Sequence, residues 1–458
     1  MSHQPADAQS CSTSDALITG TNSGAWYTTL SPSEHFDSGR SQVFKNACTL
    51  NQITNSDGPY SINTRVAPGI YPALYNIATR NQNELFIYGG FAGQGGTYVA
   101  RLDPDTLNEL WRSSVTIPSS QWSFIGAMGV HGNGYVYSTQ SNILAKIDPI
   151  TGRKRQLSLP QLAAPTGTGA AYNGFVTTPD GLIVAKSMER GPCTSDTTSA
   201  LSCVLSNNLP STIVVVNPDT LTVIAQINTS EPALGRIMTE RHDGIDYIYV
   251  PGISRLIRYR FSNGTLSLDT SWGPVGYGQG ANASGVGILG NFAVTQTNYV
   301  PSSTPSYVVA ANIYDSTQQY QIQPFPPLSR SSLSWVPDKA VLDSENNLIY
   351  AEDTYAAQIA ALTINSSGLS VVWKLNSVAT GFPALLGTTS ARQLVIASLI
   401  STGDTLTWRN PATGAVLAQS SGLASKATIG AIAPGFKGRF YYPSFYSGQL
   451  IELTPQSP

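Results

Sequence analysis

The chain has 458 residues, of which only 11% are charged, and its formal net charge is −2. A nucleic-acid or anionic-membrane partner would require a basic field that this composition does not supply. Apolar stretches such as STIVVVN are far shorter than the roughly 20 residues of a membrane-spanning helix, so we expect a soluble chain without a membrane partner.

The N-terminus and the four cysteines indicate how the chain is processed. MSHQPADAQS lacks the apolar region of a signal peptide, so we interpret the sequence as a mature form with an added Met. Cys11, Cys48, Cys193 and Cys203 show no CxxC or CxxCH spacing, which argues against a thiolate metal site or an attached haem. We expect sequential disulfide pairing, although three connectivities are possible.

Four N-glycosylation sequons stand in predicted turns or loops, at Asn228, Asn263, Asn282 and Asn365. Such triplets also arise by chance in chains rich in Ser and Thr. Together with an even number of cysteines and a polar, weakly charged composition, they favour a secreted, extracellular glycoprotein.

Short β-branched and aromatic runs, separated by Gly, Asn, Asp and Pro, predict an all-β fold. A turn that begins with Asp or Asn returns along the chain; its copies start at Asp103, Asp148, Asn217, Ser262, Asp315, Asn365, Asn410 and Thr454. Seven spacings separate these copies, and four of them are 44 or 45 residues. A period near 45 residues is typical of a propeller with four short strands per blade.

The repeat predicts one domain, an eight-bladed β-propeller, with seven blades as the alternative. Residues 1–70 form an N-terminal segment with a ring-closing strand, and residues 71–458 hold the blades. The eighth unit ends after its third strand, so closure needs an N-terminal strand, which we place within residues 14–30. In each recurring turn the Asp or Asn accepts backbone N–H bonds. We expect a monomer.

The stretch RLDPDTLNELW resembles the repeat of the quinoprotein alcohol dehydrogenase-like propellers, in positions Asp103, Thr106 and Trp111, and Trp373 occupies the same closing place. The resemblance implies an architecture in which this motif docks neighbouring blades. Family enzymes hold their quinone beside a disulfide of adjacent cysteines, and no two cysteines are adjacent here. We therefore expect no quinone, and no haem or nucleotide either, since residues 273–287 are glycine-rich without a Gly-Lys-Ser/Thr sequence.

Loops between blades, and loops between second and third strands, share one face of a propeller, where binding residues concentrate. The longest such loop follows Lys186 and contains two of the cysteines. AEDTY supplies Glu352, Asp353 and Tyr355, whose adjacent carboxylates suit a general base or a divalent-cation site, with blade-to-blade hydrogen bonding as the alternative. His35, in SPSEHFDSG, is interpreted as a loop residue, with metal binding as the alternative.

The entrances to the inner strands add further candidates, namely Trp122, Tyr172, Asn173, Arg236, Trp335, Asp338 and Lys339. One hypothesis is an enzyme that acts on a small polar or carbohydrate-like ligand by hydrolysis or β-elimination. Arg236, Asp338, Glu352 and Asp353 would then be catalytic, and the remaining candidates would bind substrate. The other hypothesis is a non-catalytic module that binds a glycan or a protein. Arg236 and Asp338 could equally form a purely structural ion pair.

Overall fold

The computed structural model describes residues 25–54, 60–90, 96–117, 121–162, 169–193, 207–277, 283–298, 306–325, 339–376, 378, 381–398, 403–423 and 430–456. These residues form eight β-sheets, which are the blades of a propeller, so the predicted eight-bladed fold is confirmed. In this part of the chain, no helix has the length and apolar character needed to cross a membrane.

The first elements come before the first complete blade; they are β1 (Val43–Phe44), helix α1 (Leu50–Thr54) and β2 (Ser61–Val66). Blade 1 comprises β3 (Asn76–Thr79), β4 (Leu85–Gly89), β5 (Thr97–Leu102) and β6 (Glu109–Val115). Blade 2 comprises β7 (Met128–Val130), β8 (Val136–Gln140), β9 (Ile143–Ile147) and β10 (Lys154–Ser158). Blade 3 comprises β11 (Ala170–Thr177), β12 (Ile183–Glu189), β13 (Thr212–Asn217) and β14 (Thr222–Asn228).

Blade 4 comprises β15 (Met238–His242), β16 (Ile245–Pro251), β17 (Arg255–Ser262), β18 (Thr265–Leu268) and an added β19 (Val275–Gly276). Blade 5 comprises β20 (Ala283–Leu289), β21 (Phe292–Thr297), β22 (Val308–Asn312) and β23 (Gln319–Ile322). Blade 6 comprises β24 (Val341–Asp343), β25 (Leu348–Asp353), β26 (Gln358–Asn365) and β27 (Gly368–Asn376).

Blade 7 comprises β28 (Ala384–Leu386), β29 (Gln393–Ser398), β30 (Thr405–Arg409) and β31 (Val416–Gln419). Blade 8 contains β32 (Ala433–Pro434), β33 (Phe440–Pro443) and β34 (Leu450–Gln456). Two 3₁₀ turns lie at Thr389–Ala391 and Phe436–Gly438. Within each blade, strands that are consecutive in the chain pair in antiparallel fashion, except that β19 pairs with β17. The short β1 adds to blade 7 by pairing in parallel with β28.

Burial decreases from the inner strands to the outer strands. All eight residues of β11 are buried, whereas β14, the outer strand of the same blade, alternates between exposed and half-buried residues. An inner strand packs on both faces and is therefore mostly buried, while an outer strand meets water on one face. The core consequently lies between blades, in layers formed by the inner three strands of each sheet.

The recurring Asp/Asn turn docks neighbouring blades against each other. Asp103 Oδ1 accepts the N–H groups of Asp105 and Thr106, at 2.8 and 2.9 Å. Such a cap leaves the carbonyl of the following residue free to accept a bond from the preceding blade. Side chains of the preceding blade donate to carbonyls of this kind. Tyr137 donates to the Pro218 carbonyl (2.8 Å), Trp373 to the Pro411 carbonyl (2.9 Å) and Tyr320 to the Ser366 carbonyl (3.3 Å).

The ring is closed by β2, which pairs with β34 from Ser61–Gln456 to Val66–Ile451 and supplies the fourth strand of blade 8. Our placement of this strand within residues 14–30 was wrong. The described part of that stretch instead binds blade 2, because Trp26 buries its ring and the Tyr27 N–H donates to the Val130 carbonyl at 3.0 Å.

Residues 25–44, the channel segment, run along the inner strands. The carbonyl groups of this segment accept hydrogen bonds from inner-strand N–H groups in six blades. Donor and acceptor are, in order, Thr79 and Ser31 (2.8 Å), Val130 and Pro32 (2.7 Å), Thr239 and Ser38 (3.1 Å), Ile288 and Gly39 (2.9 Å), Leu342 and Ser41 (3.1 Å), and Leu385 and Gln42 (3.1 Å). In blade 3, Thr177 N donates to Ser38 Oγ at 3.1 Å. Because the inner strands of seven blades converge on it, this segment occupies the central channel.

The contact between Gly152 of blade 2 and Trp111 of blade 1 allows a test of blade docking. The φ of Gly152 is +70°, and a Cβ at this position would lie 2.8 Å from two atoms of the Trp111 indole. Gly264 has a similar φ of +74° but nothing within 4 Å of such a Cβ. We expect Gly264→Ala to lose about 1–2 kcal/mol from backbone strain, and Gly152→Ala to lose clearly more, measured by urea unfolding. Equal losses would show that the Trp111 contact does not stabilise the blade interface.

Candidate functional site

Arg236 lies on a connector between blades 3 and 4 whose backbone is held by two other predicted site residues. Lys186 Nζ donates to the Ala233 carbonyl at 2.6 Å, and Asn173 Nδ2 donates to the Leu234 carbonyl at 2.8 Å. The Arg236 N–H then donates to the Ser284 carbonyl of blade 5 at 3.1 Å. Lys186 and Asn173 therefore fix the position from which Arg236 projects.

The guanidinium of Arg236 pairs with Glu34 of the channel segment. The Tyr75 hydroxyl donates to the same carboxylate, and the Tyr75 ring centre lies 5.2 Å from Arg236 Cζ. His35 Nε2 is 3.1 Å from Glu34 Oε2, and an Arg40 nitrogen is 3.8 Å from it. Both members of the pair are almost inaccessible, with 4% of the Glu34 side chain and 11% of the Arg236 side chain exposed.

Burial alone would raise the pKa of Glu34, but the positive charge of Arg236, followed by His35 and Arg40, outweighs burial and holds this pKa well below its ordinary value of 4.5. Glu34 is therefore ionised in the folded protein at neutral pH. A carboxyl group whose pKa is lower in the folded state stabilises that state at pH values above its unfolded pKa. This stabilisation decreases as the pH falls below 4.5 and through the lower folded pKa.

Lys186 is fully buried beside this pair. Burial, together with the nearby positive charge of Arg236, lowers the pKa of Lys186 well below its usual value. A neutral amine can accept a proton, which is the property required of a general base. Its contact with the Ala233 carbonyl at 2.6 Å also gives the amine a structural role.

The described residues around Arg236 enclose little space. The cavity lined by Arg40, Asn173, Lys186, Arg236 and their neighbours has an empty volume of about 170 Å³, and a second one beside Glu34 and His35 has about 240 Å³. Pockets for small molecules usually measure about 300–1,000 Å³. As far as these residues define it, the channel is packed by the chain itself.

The blade 6 carboxylates point to separate roles. Asp353 Oδ1 accepts the N–H groups of Tyr355 and Ala356, at 3.1 and 3.0 Å, and so caps the turn after β25. Glu352 is buried, and its carbonyl accepts from Gln296 Nε2 of blade 5 at 2.6 Å. This contact joins blades 5 and 6 through the backbone of Glu352, so the role of the Glu352 carboxylate stays a prediction.

Two predicted aromatic contacts are core residues, since Trp122 and Tyr172 both have 0% exposure. The Trp122 ring packs on Phe124 with centres 5.1 Å apart, and the Tyr172 hydroxyl donates to the Pro160 carbonyl at 2.5 Å. Tyr355, in contrast, is 51% exposed. Aromatic residues near a blade entrance thus serve two different purposes.

The remaining predicted residues divide by whether the structure describes them. Lys339 is buried just before β24, and its Nζ donates to the Ala340 carbonyl at 3.0 Å. Trp335 and Asp338 lie outside the described residues. The described residues contain no group of three or more His, Cys, Asp or Glu side chains arranged to hold a metal ion.

Cys48 and Cys193 are each disulfide-bonded. Cys11 and Cys203 lie outside the described residues, so the sequential pairing remains a prediction. Cys48 is buried just before α1 and Cys193 is buried after β12. A disulfide at either position restricts the unfolded chain and so stabilises the fold.

In the part of the chain that the structure describes, the fold is a β-propeller whose inner strands are bonded to the channel segment. No protein-family profile matches the chain, and no curated protein sequence matches it. Solved structures share the fold. The quinohemoprotein alcohol dehydrogenase of Comamonas testosteroni aligns with a TM-score of 0.60 and 10% identity, over 92% of this chain and 80% of that one.

A europium-containing methanol dehydrogenase aligns with a TM-score of 0.58 and 9% identity, over 92% of this chain and 89% of that one. BamB from Moraxella catarrhalis aligns with a TM-score of 0.51 and 11% identity, over 86% of this chain and all of that one. The predicted resemblance to quinoprotein-like propellers is therefore confirmed as architecture. At such identities the likeness concerns the fold alone.

Sequence reasoning missed the partner of Arg236. Glu34 and Tyr75 are 202 and 161 positions away, and no local pattern links them to Arg236. The one available signal was the charged cluster SPSEHFDSG, in a chain with only 11% charged residues. In a chain with so few charged residues, a charged cluster that precedes the propeller blades is a candidate for a buried ion pair.

Replacing Arg236 should destabilise the fold. Arg236→Met leaves the Glu34 carboxylate buried without its main counter-charge, and we expect a loss of about 3–5 kcal/mol in urea unfolding. The double variant Glu34→Gln/Arg236→Met should recover much of this loss, because the uncompensated charge is removed. A double variant no more stable than Arg236→Met would contradict the pairing.

The pH dependence of stability provides a second test of the Glu34 charge. The stability difference between the wild type and Glu34→Gln should be largest above pH 4.5 and should shrink as the pH falls below that value. A difference that does not change between neutral and acidic pH would show that the Glu34 charge does not stabilise the channel.

Proposed function

We propose that the protein is a non-catalytic recognition propeller, which binds a glycan or protein partner through the face that carries the second-to-third-strand turns. The main support for this proposal is the packing of the channel. The channel segment and the Glu34–Arg236 pair lie in the described part of the channel, where the cavities beside Arg236 and beside Glu34 have about 170 and 240 Å³ of empty volume. A partner would therefore engage the surface of the blades and leave the channel closed.

The contacts of the candidate residues support this proposal. Arg236 is engaged by Glu34, Lys186 by Ala233, and Asn173 by Leu234. These side chains hold the scaffold together, whereas Tyr355 projects into solvent from a capped turn. Recognition residues on a rigid scaffold lose little freedom when they bind.

A secreted enzyme that acts on a carbohydrate-like ligand by hydrolysis or β-elimination is the second candidate. The observation in its favour is Lys186, whose lowered pKa and nearness to Arg236 suit a base beside a group that neutralises negative charge. In β-elimination such a base removes a proton next to a carboxyl group. Opening of the connector at Ala233 would be needed to expose the Lys186 amine.

An assay for turnover separates the two candidates. We expect no product when the purified protein is incubated with neutral oligosaccharides, uronic-acid oligosaccharides and lactones, with and without divalent cations. Release of reducing ends would report hydrolysis, and ultraviolet absorbance of an unsaturated product would report elimination. Turnover that Lys186→Met abolishes, while Lys374→Met on the exposed outer strand β27 retains it, would replace recognition by catalysis.

We also propose that the protein is secreted and glycosylated. Cys48 and Cys193 are disulfide-bonded, which suits an oxidising compartment, and three of the sequon residues, Asn228, Asn263 and Asn365, are exposed. Asn282 lies outside the described residues. Disulfides of this kind persist mainly outside the cytosol.

Glycosylation can be read from the mass of the protein. After expression in a eukaryotic secretory system, we expect N-glycosidase treatment to lower the intact mass, and Asn263→Gln to remove one glycan from the highly exposed turn after β17. The matched variant Asn347→Gln, in a turn without a sequon, should leave the mass difference unchanged. A secreted protein without attached glycans would contradict the glycosylation proposal.

A further inference from the structure

Two exposed tyrosines lie on the same face of the ring, in blades 6 and 8. Tyr355 lies in the turn between β25 and β26 of blade 6, and Tyr446 lies in the turn between β33 and β34 of blade 8. Their exposures are 51% and 69%. Turns between second and third strands all leave the propeller on one side, so both rings stand on the face to which recognition is assigned above.

The two tyrosines occupy matching positions in turns of the same form. In blade 8, Ser444 N donates to the Gln449 carbonyl at 2.8 Å, which leaves the four-residue turn 445–448. In blade 6, Asp353 pairs with Gln358, which leaves the four-residue turn 354–357. Tyrosine is second in each turn. The last residue of each has a positive φ, +51° at Ala357 and +67° at Gly448.

Both turns are held rigidly by their first flanking residue. Asp353 accepts the N–H groups of Tyr355 and Ala356, and in blade 8 the Ser447 hydroxyl donates to Ser444 Oγ at 2.7 Å. The Tyr446 ring also stands edge-on to Phe445, with centres 5.7 Å apart. Rings presented on capped turns need little ordering on binding, which favours affinity.

The chemistry of these turns suits an uncharged, hydroxyl-rich partner. Asp353 is 2% exposed because its carboxylate caps the turn, so it offers no surface charge. The other flanking side chains are hydroxyls and amides, such as Ser447 and Gln449. An exposed tyrosine offers an apolar ring face and a hydroxyl edge, and a pyranose sugar likewise has an apolar C–H face rimmed by hydroxyl groups.

The placement of the two rings in different blades favours an extended ligand. Blade 7 lies between blades 6 and 8 in the ring, so the two tyrosines are separate contacts and do not form one apolar patch. A protein interface usually concentrates its anchors in a buried centre. Separate flat rings, one per sugar unit, instead match a chain of repeated residues.

We propose that Tyr355 and Tyr446 form a binding surface for a neutral, extended glycan, with each ring stacking on one sugar. This inference rests on the recognition function proposed above and specifies its partner. The channel residues take no part in it. Binding should therefore be independent of the Glu34–Arg236 pair and should involve little electrostatic attraction.

The test is affinity electrophoresis in native gels that contain a soluble neutral polysaccharide, with laminarin, xyloglucan, arabinoxylan and galactomannan as probes. We expect at least one probe to retard the wild type. Tyr355→Ala and Tyr446→Ala should each weaken retardation several-fold, and the double variant should abolish it. Tyr355→Trp should retain it, because an aromatic face remains. Retardation should change little at high salt.

Tyr314→Ala is the matched control. Tyr314 is 57% exposed, but it lies in a third-to-fourth-strand turn on the opposite face, so its loss should leave retardation unchanged. Thermal midpoints of all variants should stay near that of the wild type, since the replaced rings are solvated.

The outcomes are distinguishable. A double variant retarded like the wild type would overturn the tyrosine site, and a wild type retarded by none of the probes would overturn the glycan partner, while either result leaves a non-catalytic protein-binding role standing. Cleavage of a probe by a protein whose retardation still depends on both tyrosines would overturn the non-catalytic function and keep the binding surface.

Discussion

The ion pair between Glu34 and Arg236 is the interaction on which the arrangement of the channel depends. Taking a carboxylate and a guanidinium out of water costs several kcal/mol per ion, so neither group is stable in the channel without the other. Arg236 reaches Glu34 because Lys186 and Asn173 hold its connector by two carbonyls. One pair thereby links the channel segment to blades 3 and 4, and the hydrogen bonds of that segment link it to the remaining inner strands.

Local chemistry explains why the architecture could be predicted. A turn capped by Asp103 or Asn410 depends on residues within three positions, so its signature survives in every blade and its spacing reveals the repeat. The incomplete eighth unit likewise indicated a closing strand from the N-terminal region. Our placement of the closing strand was wrong because ring closure depends on the pairing of two strands. β2 pairs with β34 over six residues, and this match is not visible in either strand alone.

The candidate site was harder to predict because its contacts join distant positions. Arg236 and Asn173 were recognised as entrance residues, but the direction of their side chains depends on Glu34 and Leu234, which come from other elements. Aromatic residues raised the same difficulty. Trp122 and Tyr355 both follow or precede buried strands, yet one fills a gap between blades and the other extends into water. Sequence pattern places such residues near a face without fixing which way they point.

The turns on the two faces differ in what they contact, and this difference is consistent with the recognition function that we propose for one of them. On the face of Asp103, the capped turn aims a backbone carbonyl at the neighbouring blade, and the result is blade docking. On the opposite face, the Asp353 carboxylate caps a turn in the same way, but the second residue of that turn, Tyr355, is 51% exposed. The cap makes both turns rigid. Because the caps and the channel pair stabilise the ring, the exposed side chains of the second face are free to differ between propellers of this architecture, and this is where a change of partner requires the fewest changes in the fold.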